Sequence, residues 1–146
     1  MSAFQDLEIL LVEDNEGDIQ LTIEAFKEAK IRNQIKVVRD GEEALDYLRK
    51  QGNYTNVPSP DIILMDINLP KIDGKEVLST MKNDPALKII PVIMLTTSSA
   101  DADIHESYAN HANCYVVKPV DLDKFMDVIR SIEDYWVSIV KLPSKS

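Results

Sequence analysis

Short apolar runs alternate with longer amphipathic stretches along the chain. Leu7–Val12 (LEILLV) is the first run, and two acids, Glu13 and Asp14, follow it at once. Over Asn15–Lys30 the period changes: Ile19, Ile23 and Phe26 recur at spacings of four and three. That spacing predicts a helix with Asn15 as its N-cap. Ile35–Arg39 is a second β-branched run, shorter and more polar, which suits a sheet edge. Asp40–Lys50 opens with Asp-Gly and carries Ala44, Leu45 and Leu48 as a weaker helical stripe. Gln51–Pro60 (QGNYTNVPSP) is the one loop-like tract, a long surface connection too short to separate domains.

The alternation then continues. Asp61–Met65 (DIILM) and Pro91–Leu95 (PVIML) are nearly continuous apolar runs, as strands buried on both faces require. Asp66 follows the first of them, then a turn over Asn68–Gly74 and a helix over Lys75–Asn83. Thr96 follows the second, then a helix over Ala100–Asn110. Cys114–Val117 (CYVV) is a fifth strand, ending at Lys118. Asp121–Val140 is a long last helix whose stripe runs Leu122, Phe125, Ile129, Ile132 and Trp136. Five strands, each followed by a helix, predict an α/β fold. Right-handed crossovers make it a doubly wound parallel sheet with helices on both faces.

Composition narrows the class. The 146 residues fit one domain, with a core over about 6–140 and a short tail, Lys141–Ser146. Hydrophobic residues at 45% and charged residues at 28% are ordinary for a globular chain. The formal net charge of −9 argues against nucleic acid or an anionic membrane as partner, since both need Lys/Arg clusters. One cysteine, Cys114, allows no internal disulfide. No apolar run approaches membrane-spanning length and no leader pattern opens the chain, so a cytoplasmic protein is expected.

In a doubly wound sheet chemistry collects beyond the carboxyl ends of the strands. Here those ends carry Glu13 and Asp14, Asp66, Thr96 and Lys118. Any one of them alone reads as a cap or a loop residue. Together they make a different object. Three converging carboxylates repel one another unless a divalent cation joins them, and Mg²⁺ suits an all-oxygen site with few protein ligands. A lysine and a hydroxyl facing that cluster can hold the oxygens of a phosphoryl group carried on one carboxylate. Phosphoryl transfer asks mainly for such positioning and charge neutralisation.

The stretches ILLVEDN, IILMDINLPKIDG, PVIMLTTSS and CYVVKPV resemble the response-regulator receiver domains of two-component signalling, the CheY-like family, over nearly the whole chain. The resemblance implies a flavodoxin-like strand order 2-1-3-4-5. It also implies Asp66 as phosphoacceptor, and Glu13, Asp14, Asp66 and the Asn68 backbone carbonyl as Mg²⁺ ligands. Thr96 and Lys118 become phosphoryl contacts, and Tyr115 becomes the aromatic that switches with Thr96. The loop QGNYTNVPSP, the segment SYANHANCYVVKP and the end IEDYWVSIVKLP are similar to the single-domain regulators that pair with bacterial phytochromes. A sensor histidine kinase of that type is thus the expected partner.

No stretch is left over for an output domain, so the signal is expected to leave by protein contact. Apolar residues Tyr135, Trp136, Val137, Ile139 and Val140 suggest a homodimer through strand 5 and helix 5. The alternative from another class is a Mg-dependent phosphatase or phosphotransferase of the haloacid-dehalogenase type. Such an enzyme wants an acid two residues after its nucleophile, where this chain has Asn68. The expectation is therefore a phosphoacceptor switch rather than an enzyme acting on outside substrates.

Overall fold

The structure, a computed structural model, describes residues 7–29, 33–96, 114–117 and 127. Five strands, β1 (Leu7–Val12), β2 (Asn33–Val38), β3 (Ile62–Asp66), β4 (Val92–Thr96) and β5 (Cys114–Val117), form one sheet. Their order is β2-β1-β3-β4-β5, and every neighbouring pair is parallel. Among the described residues the helices are α1 (Glu16–Ala29), α2 (Gly41–Arg49) and α3 (Gly74–Lys82), with a 3-10 turn at Gly52–Tyr54. The helices expected over Ala100–Asn110 and Asp121–Val140 lie outside the described residues, apart from the helical, exposed Asp127.

Alternation along the strands builds two cores. Ile9, Leu11, Ile62, Leu64, Ile93 and Leu95 face α1, where Ile19, Ala25 and Phe26 meet them. The intervening Leu10, Val12, Ile63, Met65, Val92 and Met94 face the opposite way, against Ala44, Leu45 and Leu48 of α2 and Val77, Leu78 and Met81 of α3. A central parallel strand is covered on both sides, which is why these runs read as unbroken apolar stretches.

Element ends differ slightly from the expectations, for identifiable reasons. β2 starts at Asn33 because Leu7 pairs with it. It stops before Arg39, whose N–H donates to the Glu43 carboxylate at 3.0 Å instead of to the ladder. Glu43 in turn donates its N–H to the side chain of the N-cap Asp40 at 2.7 Å, so the start of α2 carries a reciprocal cap whose acid reaches the residue before the N-cap. Asp66 and Thr96 belong to their strands rather than following them, since Asp66 pairs with Leu95 and Thr96 with Val117. α1 has the N-cap expected of it: the Asn15 side-chain oxygen accepts the Asp18 N–H at 2.9 Å. From β1 the chain steps outward to β2, then returns to β3 on the other side of β1. The crevice at that switch point opens between the carboxyl ends of β1 and β3.

Candidate functional site

Register alone places the acids together. Val12 pairs with Met65, so the residues that follow them, Glu13 and Asp66, lie side by side beyond the β1–β3 ladder. Glu13 prolongs β1 by one hydrogen bond, from its N–H to the Val38 carbonyl at 3.0 Å. Its carboxylate is buried, and Oε2 accepts the Asn15 N–H at 3.2 Å. Asp14 is exposed beside it. Asp66 is only 5% exposed, and its Oδ1 accepts the Asn68 N–H at 3.3 Å. One carboxylate oxygen from each of Glu13, Asp14 and Asp66 lies within 4.8 Å of the others.

This donor set fits a small hard cation. With oxygens at about 2.0–2.1 Å from an octahedral Mg²⁺, two ligands stand roughly 3 Å apart when adjacent and roughly 4 Å apart when opposite. Separations up to 4.8 Å close to that range with small side-chain rotations, and Asp14, being exposed, is free to make them. All three ligands are oxygens, which disfavours softer metals.

Two glycines bring the backbone close enough to shape the pocket. A Cβ on Gly74 would sit 2.2 Å from the Asp66 carbonyl oxygen, so the start of α3 can press against the end of β3 only without a side chain. The Gly74 N–H donates to the Ile67 carbonyl at 2.8 Å and Asp73 caps the helix, so the intervening loop 67–73 is pinned at both ends. A Cβ on Gly41 would meet the Ile72 carbonyl oxygen at 1.9 Å, which seats the start of α2 against the same loop. Within it Lys71 has φ 69° and the Ile72 N–H donates to the Pro70 carbonyl at 2.8 Å. Together these describe a positive-φ γ-turn, a rare and strained form. Lys71 is exposed, and the neighbouring Asp40 and Glu42 carboxylates, at 3.7 and 3.5 Å, raise its ammonium pKa.

Thr96 is completely buried at the end of β4, one strand beyond Asp66. Its register partner is Val117, the residue before Lys118. Lys118 itself lies outside the described residues. Tyr115 is in β5, with its backbone opposite Met94. Asn68 is exposed just past Asp66. Of the residues singled out by sequence, Glu13, Asp14, Asp66, Asn68 and Thr96 are therefore gathered at one edge. Sequence reasoning missed Gly41, Gly74 and Lys71. Two Asp-Gly pairs were the available signal: each aspartate caps a helix, and each glycine makes room for the loop beside Asp66.

Comparison with known proteins agrees with this geometry. The family model described as the response regulator receiver domain matches residues 9–130. The response regulator Rcp1 of Synechocystis sp. is 44% identical over 136 residues, covering 93% of this chain and 92% of that protein. A crystal structure of its Mn²⁺-bound form covers 94% of this chain and 99% of that one, with a TM-score of 0.75. The phosphorylated cyanobacterial phytochrome response regulator RcpA is 46% identical, with a TM-score of 0.77 and coverage of 94% of this chain and 99% of its own. The bacteriophytochrome response regulator AtBRR is 44% identical, with a TM-score of 0.81 and coverage of 89% and 94%.

Proposed function

This chain belongs to the response regulator receiver family, a family of signalling switches, and from that premise we propose that Asp66 accepts a phosphoryl group from a sensor histidine kinase of the phytochrome type. What carries the reading is the convergence of Glu13, Asp14 and Asp66 oxygens within 4.8 Å, next to the buried hydroxyl residue Thr96. The similarity to Rcp1 and to the phosphorylated RcpA supports the choice of kinase class. Family membership displaces the haloacid-dehalogenase alternative, in keeping with Asn68 where that chemistry needs an acid.

In the proposed transfer a carboxylate oxygen of Asp66 attacks the phosphorus of a phosphohistidine. The new bond is O–P and the bond that breaks is P–N, its electron pair passing to the imidazole nitrogen, which takes up a proton. The Asn68 N–H holds Oδ1 of Asp66 in place. Thr96 offers a hydroxyl donor to a phosphoryl oxygen, and Lys118, next in sequence after Val117 of β5, supplies an ammonium. Receiver domains bind a divalent metal. We assign Mg²⁺ to this one, held by Glu13, Asp14, Asp66 and the Asn68 carbonyl; when bound, it neutralises charge on the phosphoryl oxygens.

Output in this reading passes through Thr96 and Tyr115 to the surface of strand 5 and the helix after it, the surface assigned to a homodimer. We place the protein in the cytoplasm as a single receiver domain; among the described residues no helix is long and apolar enough to cross a membrane. Asp66→Asn tests the core of the proposal. The variant is expected to fold, to keep its thermal midpoint or raise it, and to lose all stable labelling by a phosphohistidine donor. Wild-type labelling of that variant would remove Asp66 from its role.

A further inference from the structure

The loop 67–73 beside Asp66 is tied to a surface on the far side of α2 that the proposed chemistry does not use. Three ties join it to the start of that helix. The Gly41 N–H donates to the Pro70 carbonyl at 3.3 Å, the Lys71 ammonium stands near Asp40 and Glu42, and the Ile72 carbonyl sits where a Gly41 Cβ would be. In the same first turn of the helix, Glu43 bridges in two directions. Its Oε1 accepts the Arg39 N–H, and its Oε2 accepts the hydroxyl of Tyr54.

Tyr54 belongs to the segment 51–58 and ties it to α2 through Glu43. Its ring lies 5.1 Å from that of Tyr47 at 55°. Its backbone carries the next turn, with the Tyr54 N–H on the Gln51 carbonyl at 3.0 Å and the Val57 N–H on the Tyr54 carbonyl at 3.5 Å. Lys50 closes the segment from the other end, donating to the Val57 carbonyl at 2.7 Å and Ser59 Oγ at 3.1 Å. Beyond it an open groove of about 520 Å³ is lined by Glu8, Gln34, Lys36, Tyr47, Asn56 and Val57, among others.

We propose that segment 51–58 is conformationally coupled to the Asp66 pocket through the start of α2, with Tyr54 acting as a positioning residue for loop 67–73. The coupling rests on the reading of Asp66 as phosphoacceptor. The element that changes is the γ-turn at Lys71. A lysine at φ 69° holds only because its neighbours over-determine it, so drawing Asn68 toward a loaded Asp66 strains the ties at Pro70 and Lys71. Relief of that strain moves the start of α2, and Glu43 carries the movement to Tyr54. By linkage the effect is reciprocal: loosening Tyr54 changes how well the pocket holds its ligands.

The test uses the full chain with Mg²⁺ and beryllofluoride, a phosphoryl mimic, followed by backbone amide resonances. In the wild type the amides of Ile67 and Asn68 are expected to shift, and those of Asn53, Asn56 and Val57 with them. In Tyr54→Phe the second group is expected to stay still while the first still moves. The Mn²⁺ affinity of Tyr54→Phe should differ from wild type by at least about threefold, the scale of mutations along a coupled path. Lys71→Ala, which removes one of the three ties at the other end, should shrink the shifts at residues 53–57 without abolishing them. Wild-type amides that shift at 67–68 but not at 53–57 would overturn the coupling alone. No shift at either place would overturn the acceptor reading and the coupling with it.

Discussion

At the amino edge of the sheet Asp61 accepts the Glu8 N–H at 2.8 Å and returns its own N–H to the Glu8 carbonyl at 2.7 Å. At the carboxyl edge Glu13, Asp14 and Asp66 bring oxygens within 4.8 Å of one another. Among the described residues the loops of the amino edge pair donors with acceptors in several places. Lys82, whose ammonium pKa is lowered by burial, donates to the Lys88 and Ile90 carbonyls at 2.9 and 3.2 Å. The carboxyl edge gathers like charges in partly buried positions and adds a positive-φ lysine to the loop beside them. One edge is organised for stability. The other gathers the residues of the proposed site, and local conflict of this kind is expected at functional positions.

The largest effect expected from pressing on this contrast is at Gly74. Gly74→Ala puts a methyl group 2.2 Å from the Asp66 carbonyl oxygen, a backbone atom that cannot swing aside. Overpacking of this kind costs typically about 1–3 kcal/mol, and the rigid partner points to the upper end. Both the denaturation midpoint and Mn²⁺ affinity should fall, because α3 and the end of β3 must separate. Gly52→Ala is the matched control. It carries φ 60° but has no atom within 4 Å of a built Cβ, so it should cost about 1 kcal/mol and leave metal binding alone.

A second pair separates charge from structure. Asp14→Asn removes one of three repelling carboxylates, so the metal-free protein should be as stable as wild type or more so. Its metal affinity should drop at least about tenfold, since even outer-shell changes reach that size. Asp61→Ala does the reverse: it strands the Glu8 N–H at a cost of about 1 kcal/mol and leaves metal affinity intact. Asp61→Asn sharpens the point. Burial raises the Asp61 pKa, so its charge is a burden, and an amide oxygen that still accepts the N–H should be neutral or stabilising. Calorimetric melting and Mn²⁺ titration on the three variants distinguish the two edges. Equal losses of stability at Asp14 and Asp61 would erase the distinction.

How far the sequence reveals this division depends on what each feature needs. Strands were legible because positions buried on both faces permit little but apolar residues, as along 62–65 and 92–95; Cys114–Val117 and Leu7–Val12 also have the expected limits. The site acids were legible because strand ends in this architecture are few, and four of them carried polar groups of matching chemistry. Asn15 announced its helix by capping chemistry. What stayed hidden depends on distances between segments far apart in sequence. Nothing in Asp-Gly says that Gly41 lies under Ile72, and nothing in PKID says that Lys71 adopts positive φ. Nothing in QGNYTNVPSP says that the Tyr54 hydroxyl meets Glu43 of α2.

The smallest effect concerns that pair and appears only at high pH. The hydrogen bond to the Glu43 carboxylate, with burial and the nearby acids Asp46 and Asp40, pushes the Tyr54 phenol up to about 12. An unfolded tyrosine titrates near 10, so between about 10 and about 12 the native state keeps a proton that the unfolded chain has lost. Stability from this bond is therefore complete below pH 10 and falls as pH rises through the window. Tyr47, also raised by burial, contributes a loss of the same sign, so the wild-type curve alone is ambiguous. Subtracting the Tyr54→Phe curve isolates the bond. The variant should be less stable by about 1 kcal/mol at pH 8, and the gap should narrow on approaching pH 12. A gap that stays constant across that range would mean the phenol proton does not bridge to Glu43, and segment 51–58 would then be tied to α2 only through the Tyr47 ring contact and through Lys50 and Gln51 at the end of the helix.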